Sequence, residues 1–234
     1  MEKLIKYCSE FGIDLDDKAI ERFEKYMDQV LKWNEKINLT SITDRDEFII
    51  KHFCDSLTVL GVIDFEEEAE VIDIGTGAGF PAIPLKIARP DLKITMLDSL
   101  NKRLSFISNE VLPALDLKCV TIHGRAEDLS KTKEHREAYD YAVSRAVANM
   151  SSLSEYCLPF VKVGGTFIAM KGRDWKEEVN NAENAVMTLG GEFSDLLTFE
   201  LPDGSSRGIV IVDKILKCPS KYPRRGVKIN KNPL

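Results

Sequence analysis

The segment VIDIGTGAGFPAIPL, residues 71–85, places a glycine-rich loop between a predicted buried strand and an apolar, helix-like stretch. Gly75, Gly77 and Gly79 permit dihedral angles that are closed to other residues, and they let a ligand approach the bare main chain. In an open parallel sheet, the first strand-to-helix turn is the favoured place for a ligand. A merely tight turn is the alternative, but three alternating glycines at this position favour a binding loop.

From residue 69 onward, strand-like and helix-like patterns alternate along the chain, which predicts a parallel sheet covered by helices on both faces. A long polar helix is predicted at DWKEEVNNAENAVMTLG. The last two strands, FSDLLTFELP and GIVIVDKIL, are joined by the short DGSSRG segment, which predicts an antiparallel hairpin. The expected fold is therefore α/β, with a mostly parallel seven-stranded sheet that ends in this antiparallel hairpin. The other five strands are VIDIG, KITMLD, CVTIHG, YDYAVS and GGTFIAMKG.

The first 68 residues are predicted to form a helical extension of the core. Residues 17–37 carry apolar side chains at helical spacing, and FIIKHFCDSLTVLG forms a second helical stretch. The expected organisation is a helical extension at 1–68, an α/β core at 69–217 and a basic tail at 218–234.

Composition excludes several classes of protein. Hydrophobic residues make up 44% and charged residues 30% of the chain, and no apolar run approaches the roughly 20 residues of a membrane span. The N-terminus turns acidic before the apolar region of a signal peptide could form, so we expect a cytoplasmic protein.

The cysteines and histidines do not show the spacing of a metal site. The five cysteines are widely spread without a CxxC pair, and the three histidines lack the i, i+4 spacing of a helical metal pair. We therefore expect reduced thiols and no protein-bound metal, and we expect the chain to act as a monomer.

The charge of the chain is unevenly distributed. The net charge is -6, yet residues 214–234 contain seven basic and no acidic side chains, which leaves a body of -13 with an end of +7. Such asymmetry often marks contact with a polyanion. A solvated tail that keeps an acidic body in solution is the alternative.

The spacing of the glycines distinguishes between possible ligands of the loop. A dinucleotide fingerprint, G-x-G-x-x-G, would need a glycine at position 80, where this chain has Phe80. This disfavours an NAD-dependent oxidoreductase, which stays as an alternative. With Asp73 two places before the first glycine, D-I-G-T-G-A-G resembles the first motif of the Rossmann-like S-adenosylmethionine-dependent methyltransferases.

Two later segments are consistent with that resemblance. Asp98 ends the second strand, where a carboxylate can accept hydrogen bonds from both ribose hydroxyls, although it is also a reasonable N-cap for the next helix. After the third strand comes GRAEDL, in which Ala126 and Glu127 would lie beside the adenine. A surface turn would explain these two residues almost as well.

Several stretches together resemble the RsmG (GidB) family of bacterial methyltransferases, which act on N7 of a guanine in small-subunit 16S ribosomal RNA. The matches are WNEKINLTSI, HFCDSL, DIGTGAGFPAIPLKI, DSLNKRLSF, GRAED, VSRAVA, GGTFIAMKG, KYPRR and KNPL. The resemblance implies S-adenosyl-L-methionine as the cofactor and guanosine-527 as the usual target. It also implies cofactor contacts at Gly75, Phe80, Ala126, Glu127 and Arg145.

Missing motifs agree with N7 as the acceptor. Methyl transfer to an exocyclic amine usually needs an (N/D)PP(Y/F) motif after the fourth strand, where this chain has VSRAV. Transfer to carbon-5 needs a cysteine nucleophile near the same strand end, but the nearest cysteine, Cys157, lies inside the next predicted helix. Guanine N7 has an unprotonated lone pair, so in-line displacement needs no general base. Alignment alone can supply on the order of 7 to 11 kcal/mol. We therefore expect no single catalytic residue.

Arg145 is the candidate for positioning at this site. Its partner is a carboxylate or a phosphate, which leaves open the methionine carboxylate of the cofactor, a target phosphate and a structural ion pair. His52 has apolar neighbours and is predicted to be packed or hydrogen-bonded.

Four basic residues are assigned to the RNA backbone: Lys171, Arg173, Arg224 and Arg225. A solvated surface is the alternative for this set. For the whole chain, a non-catalytic ribosome-assembly factor that binds RNA and a nucleotide is the alternative outside enzymology.

Overall fold

A seven-stranded sheet forms the centre of the computed structural model, which describes residues 1–173 and 175–234. The strand order is β3-β2-β1-β4-β5-β7-β6; the first five strands are parallel, β7 is antiparallel to β5, and β6 is antiparallel to β7. The predicted α/β class and the terminal hairpin are confirmed. The strands are β1 Glu70–Ile74, β2 Lys93–Asp98, β3 Val120–His123, β4 Tyr139–Arg145, β5 Val161–Lys171, β6 Gly191–Glu200 and β7 Ser206–Lys214.

Helices precede the sheet and cover both of its faces. None of those in the described part of the chain is long and apolar enough to cross a bilayer. The α-helices are α1 Glu2–Glu10, α2 Asp17–Ile37, α3 Arg45–Phe48, α4 Asp55–Leu57, α5 Ala82–Ala88, α6 Asn101–Phe106, α7 Leu112–Leu115, α8 Ala126–Leu129, α9 Met150–Cys157, α10 Trp175–Asn180, α11 Glu183–Thr188 and α12 Gly226–Lys231. Short π-helical segments, Ile49–Cys54 and Ile107–Val111, and 3-10 segments, Thr58–Gly61 and Leu158–Phe160, continue some of them.

Helix α2 shows how the predicted helical extension folds onto the core. It begins after Asp16, whose carboxylate accepts a hydrogen bond from the Ala19 amide at 2.7 Å, and ends at Asn38, which has a left-handed conformation. Its apolar face buries Phe23, Tyr26 and other side chains. The Tyr26 hydroxyl donates to the Ala78 carbonyl at 2.8 Å, which joins the extension to the glycine-rich loop.

The predicted long helix over residues 174–190 is wrong in its continuity, because α10 ends at Asn180 and α11 begins at Glu183. Residue 174 lies outside the described residues. At the break, the Ala182 amide donates to the Val179 carbonyl three residues earlier, which tightens the turn. The Asn-Asn pair at 180 and 181 explains the interruption, since asparagine competes for backbone hydrogen bonds and is a poor helix former.

Residues 218–234 are attached to the core, although four of their five basic side chains, those of Lys221, Arg225, Lys228 and Lys231, are exposed. The alternative of a solvated tail stays open for these side chains. The Arg136 guanidinium donates to the carbonyls of Tyr222 at 3.0 Å and Cys218 at 2.8 Å, while the Glu137 carboxylate accepts from the Cys218 amide at 2.7 Å. Farther along, Ile229 of α12 is fully buried.

The parallel register brings the ends of several strands to one place. Asp73 of β1 is level with Met96 of β2 and with Val143 of β4, so the carboxyl ends of all three strands meet at the same edge. Ligands of open α/β sheets bind at this edge.

Candidate active site

The glycine-rich loop crosses from the end of β1 toward β2. The amides of Gly75 and Thr76 donate to the Leu97 carbonyl at 2.8 and 3.1 Å, and the Gly77 amide donates to Asp98 Oδ2 at 2.9 Å. Gly75, Gly77 and Gly79 all have positive φ angles, of 75°, 62° and 108°. The loop therefore needs the left-handed dihedrals that the alternating glycines predict.

Asp73 supports this loop from the interior. Its Oδ2 accepts from Thr76 Oγ1 at 2.6 Å and from the Ala82 amide at 3.3 Å, whereas Oδ1 has no partner among the described residues. Burial raises the pKa of Asp73 to about 7, and those two hydrogen bonds oppose the shift. Asp73 is fully buried and does not line the cleft described next.

A cleft of about 350 Å³ lies at the carboxyl edge, above β1 and β2. Among the residues predicted to bind the cofactor, four line it: Gly75, Asp98, Ala126 and Glu127. The other predicted residues, Asp73, Gly77, Gly79, Phe80 and Arg145, lie behind or beside its wall. Packing requires glycine at position 79, because a Cβ there would lie 2.8 Å from the Tyr26 hydroxyl oxygen.

Asp98 is buried at the wall of this cleft. Besides the Gly77 amide, it accepts the Leu100 amide through Oδ1 at 2.8 Å, and Arg103 Nη1 lies 3.7 Å from Oδ2. The N-cap residue of α6 is Leu100, whose side chain makes no capping hydrogen bond, so Asp98 is not the N-cap of this helix.

The lining of the cleft fits S-adenosylmethionine. Asp98 and Glu127 are acceptors suited to hydroxyl and amine donors, and the bare backbone at Gly75 permits close approach. Leu97, Leu100 and Ala126 add apolar wall for a flat ring. These side chains suit a ligand that combines an aromatic base with a sugar.

Arg145, at the end of β4, lies in a buried polar cluster beside the cleft. Its Nη1 donates to Asp55 Oδ2 at 2.9 Å and to the Lys51 carbonyl at 3.0 Å, and its guanidinium carbon lies 5.0 Å from the centre of the Phe80 ring. A structural ion pair with an acidic neighbour is therefore present, and the acid comes from the helical extension.

His52 belongs to the same cluster and is neutral. Arg145 Nη2 donates to His52 Nδ1 at 3.1 Å, and because a guanidinium can only donate, the ring proton lies on Nε2, which is 2.8 Å from Thr40 Oγ1. The ring stacks on Phe80 with centroids 4.4 Å apart. Burial, with a further contribution from Arg145, lowers the pKa of His52 to about 3.

Two of the four residues assigned to RNA, Lys171 and Arg224, have partners inside the protein, and their contact with RNA stays a prediction. Lys171 Nζ donates to the Ala148 carbonyl at 2.8 Å and pairs with Glu178 at 2.6 Å. Arg224 pairs with the fully buried Glu155 at 2.6 Å, so its guanidinium has a structural partner already. Arg173 and Arg225 are exposed, and their contact with RNA stays a prediction.

No local pattern singles out Tyr156, Asn230 or Arg125, which also line the cleft. The Tyr156 hydroxyl donates to Asn230 Oδ1 at 3.0 Å, so the C-terminal segment contributes to the wall. The KNPL stretch points to this segment as a whole, but the side chain that reaches the cleft depends on how α12 packs.

Several solved structures share this fold, among them a putative methyltransferase. TrmN from Thermus thermophilus superposes with a TM-score of 0.53 at 16% identity, covering 68% of this chain and 48% of TrmN. A putative methyltransferase in complex with the Haloferax volcanii Trm112 activator gives 0.58 at 13% identity, covering 80% and 97%. At these identities the superpositions show the fold alone, and the cleft at its carboxyl edge fits S-adenosylmethionine.

Sequence relatives show the family to which the chain belongs. A family model described as rRNA small subunit methyltransferase G (GidB) matches residues 19–205, and the chain belongs to this family. Relatives named ribosomal RNA small subunit methyltransferase G include that of Acetivibrio thermocellus, 49% identical over 99% of this chain and 95% of the relative. That of Alkaliphilus metalliredigens is 48% identical over 97% and 95%.

Proposed function

We propose that the chain transfers the methyl group of S-adenosylmethionine to N7 of a guanine in small-subunit ribosomal RNA, with guanosine-527 of 16S RNA as the target. The observation that carries this proposal is an identity of 48–49%, over nearly the full length of the chain, to relatives named ribosomal RNA small subunit methyltransferase G. The cofactor cleft at the carboxyl edge of the sheet supports it. With this substrate, the protein acts in the cytoplasm, as a monomer and without a bound metal.

The side chains around the cleft suit an acceptor that needs no activation. S-adenosylmethionine supplies an activated methyl group, and the N7 lone pair is unprotonated at neutral pH. His52 has both ring nitrogens engaged, and Cys157 is fully buried with a pKa raised well above its usual value by burial. Neither is available as a base or a nucleophile. We infer in-line displacement without a general base, in which the chain aligns the reactants.

The test is transfer of labelled methyl groups to small subunits that lack the modification, and to free 16S RNA in parallel. After digestion to nucleosides, the label is expected only in 7-methylguanosine. Label in another nucleoside would refute the N7 assignment. RNA binding by folded protein without any transfer would support the alternative of a non-catalytic assembly factor.

A further inference from the structure

A second cleft, of about 670 Å³, opens beside the cofactor cleft at the same edge of the sheet. The two clefts share residues 146–148, which follow β4 and form the wall between them. A group held in the second cleft is therefore separated from the cofactor cleft only by this short loop.

Cations outnumber anions in the lining of the second cleft, because His52 is neutral and the charged groups are four cations and two carboxylates: Lys51, Arg145, Lys171, Arg207, Asp55 and Glu178. An excess of one sign of charge in a cleft attracts ligands of the opposite sign.

Both carboxylates of this cleft already have cationic partners. Asp55 Oδ2 accepts from Arg145 at 2.9 Å, and Asp55 Oδ1 lies 3.3 Å from Arg207 Nε. Glu178 pairs with Lys171 and also accepts the Met150 amide at 3.0 Å. Lys51 pairs with Glu47, which lies outside the lining. One excess positive charge therefore remains, shared by Arg145 and Arg207 around Asp55.

Arg207, at the start of β7, has donor capacity to spare. Its Nη1 donates to the Ser206 carbonyl at 3.0 Å and its Nε faces Asp55, while Nη2 has no partner among the described residues. Its side chain is 23% exposed, compared with 14% for Arg145. A guanidinium with a free edge in a cationic cleft matches a phosphate oxygen in charge and in geometry.

We propose that the second cleft receives the target nucleotide of the RNA and that Arg207 binds its phosphate. This inference rests on the proposed function, since it takes the methyl acceptor to be RNA. It assigns to Arg207 a contact with the substrate in addition to its structural contact with Asp55.

The test compares Arg207→Ala and Arg207→Gln with Arg89→Ala as a matched control. Arg89 is also partly exposed and paired with an aspartate, Asp91 at 2.8 Å, but it follows α5 and precedes β2, at the opposite edge of the sheet. Filter binding of unmodified 16S RNA, with S-adenosylhomocysteine at saturation, is measured as a function of salt. Calorimetry of S-adenosylhomocysteine binding and thermal denaturation check the cofactor cleft and the fold.

Both Arg207 variants are expected to bind RNA about tenfold to a hundredfold more weakly, since one charge-assisted contact is lost. The slope of log affinity against log salt is expected to become shallower by roughly 0.7 to 0.9, while S-adenosylhomocysteine affinity stays at the wild-type value. Arg89→Ala should match wild type in RNA affinity, in salt slope and in S-adenosylhomocysteine affinity.

RNA affinity and a salt slope in a folded Arg207 variant equal to those of Arg89→Ala would overturn the inference. The proposed function is tested separately, by measuring whether the wild-type chain forms 7-methylguanosine. If wild type binds RNA through Arg207 but forms no 7-methylguanosine, the proposed reaction fails while the phosphate contact stands.

Discussion

Gly75 is the glycine of the loop that lines the cofactor cleft. It has a φ of 75°, and a Cβ at this position would lie 2.5 Å from Val147 Cγ2. A substitution there would displace Val147, one of the three residues that separate the two clefts. Backbone conformation and packing thus both require glycine at this position.

Gly75→Ala is expected to lose at least tenfold in S-adenosylhomocysteine affinity and to cost more than the roughly 1–2 kcal/mol of a left-handed alanine. Gly164→Ala is the matched control, because Gly164 has a φ of 89° and open space around it. The control should show the conformational cost alone. Urea denaturation and calorimetry measure both effects, and equal cofactor affinity in the two variants would count against the role of Gly75.

His52 gives the stability of the protein a component that depends on pH. Its folded pKa of about 3 is below the unfolded value near 6.5, so at intermediate pH the unfolded chain binds a proton that the folded chain does not. The stability that neutral His52 contributes is present above pH 6.5 and is lost as the pH falls toward 3.

His52→Gln is expected to lack this component. The difference in unfolding free energy between wild type and variant should decrease on acidification, by at most about 1.4 kcal/mol per pH unit between pH 6.5 and 3. Other titrating groups, including Asp73, are present in both proteins and cancel in the difference. Chemical denaturation at several pH values measures it; a difference independent of pH would contradict the neutral state of buried His52.

At the scale of elements, the ion pair between Arg224 and Glu155 fastens the C-terminal segment to α9. Glu155 also accepts the Arg224 amide at 2.6 Å, and its side chain is fully buried. The hydrogen bond to Glu155 raises the pKa of Arg224 further, which agrees with a strong pair. Breaking such a pair leaves a buried charge without its counter-ion.

Arg224→Ala is therefore expected to destabilise the protein by about 3–5 kcal/mol. Arg225→Ala, one residue later and exposed, should change stability by no more than about 0.5 kcal/mol. Urea denaturation of the two variants compares them directly. Similar stability in both would mean that the pair does not anchor the segment.

The C-terminal segment also reaches the cofactor cleft through Asn230. With Oδ1 engaged by Tyr156, the Asn230 amide nitrogen remains as a donor toward a ligand. Asn230→Ala is expected to weaken S-adenosylhomocysteine binding about twofold to tenfold, the effect of one neutral hydrogen bond. Asn232→Ala, which alters a residue that does not line the cleft, is the calorimetric control, and equal affinities would exclude the contact.

How much the sequence predicts depends on whether the information is local. The succession of strands along the chain and the positions of Asp98 and Glu127 at strand ends follow from patterns within a few residues, because strand ends and turns are local features. Arg207 and Asn230 reach their clefts only through hairpin pairing and tail packing. The partner of Arg145 is 90 residues away in the chain, so no spacing pattern could identify Asp55.

At the scale of the whole molecule, three distant parts of the chain meet at one edge of the sheet. The helical extension supplies His52 and Asp55, the core supplies the glycine-rich loop and Asp98, and the C-terminal segment supplies Asn230. The site is therefore incomplete in the 69–217 segment alone, although this segment contains all seven strands found among the described residues.

The most direct measurement of the central claim, that the cleft at Gly75 and Asp98 holds S-adenosylmethionine, is calorimetric titration of the full chain with S-adenosylhomocysteine and, in parallel, with NADH. The chain is expected to bind S-adenosylhomocysteine saturably at one site and to give no heat with NADH. A folded chain that binds NADH, or that shows no heat with S-adenosylhomocysteine, would contradict this claim.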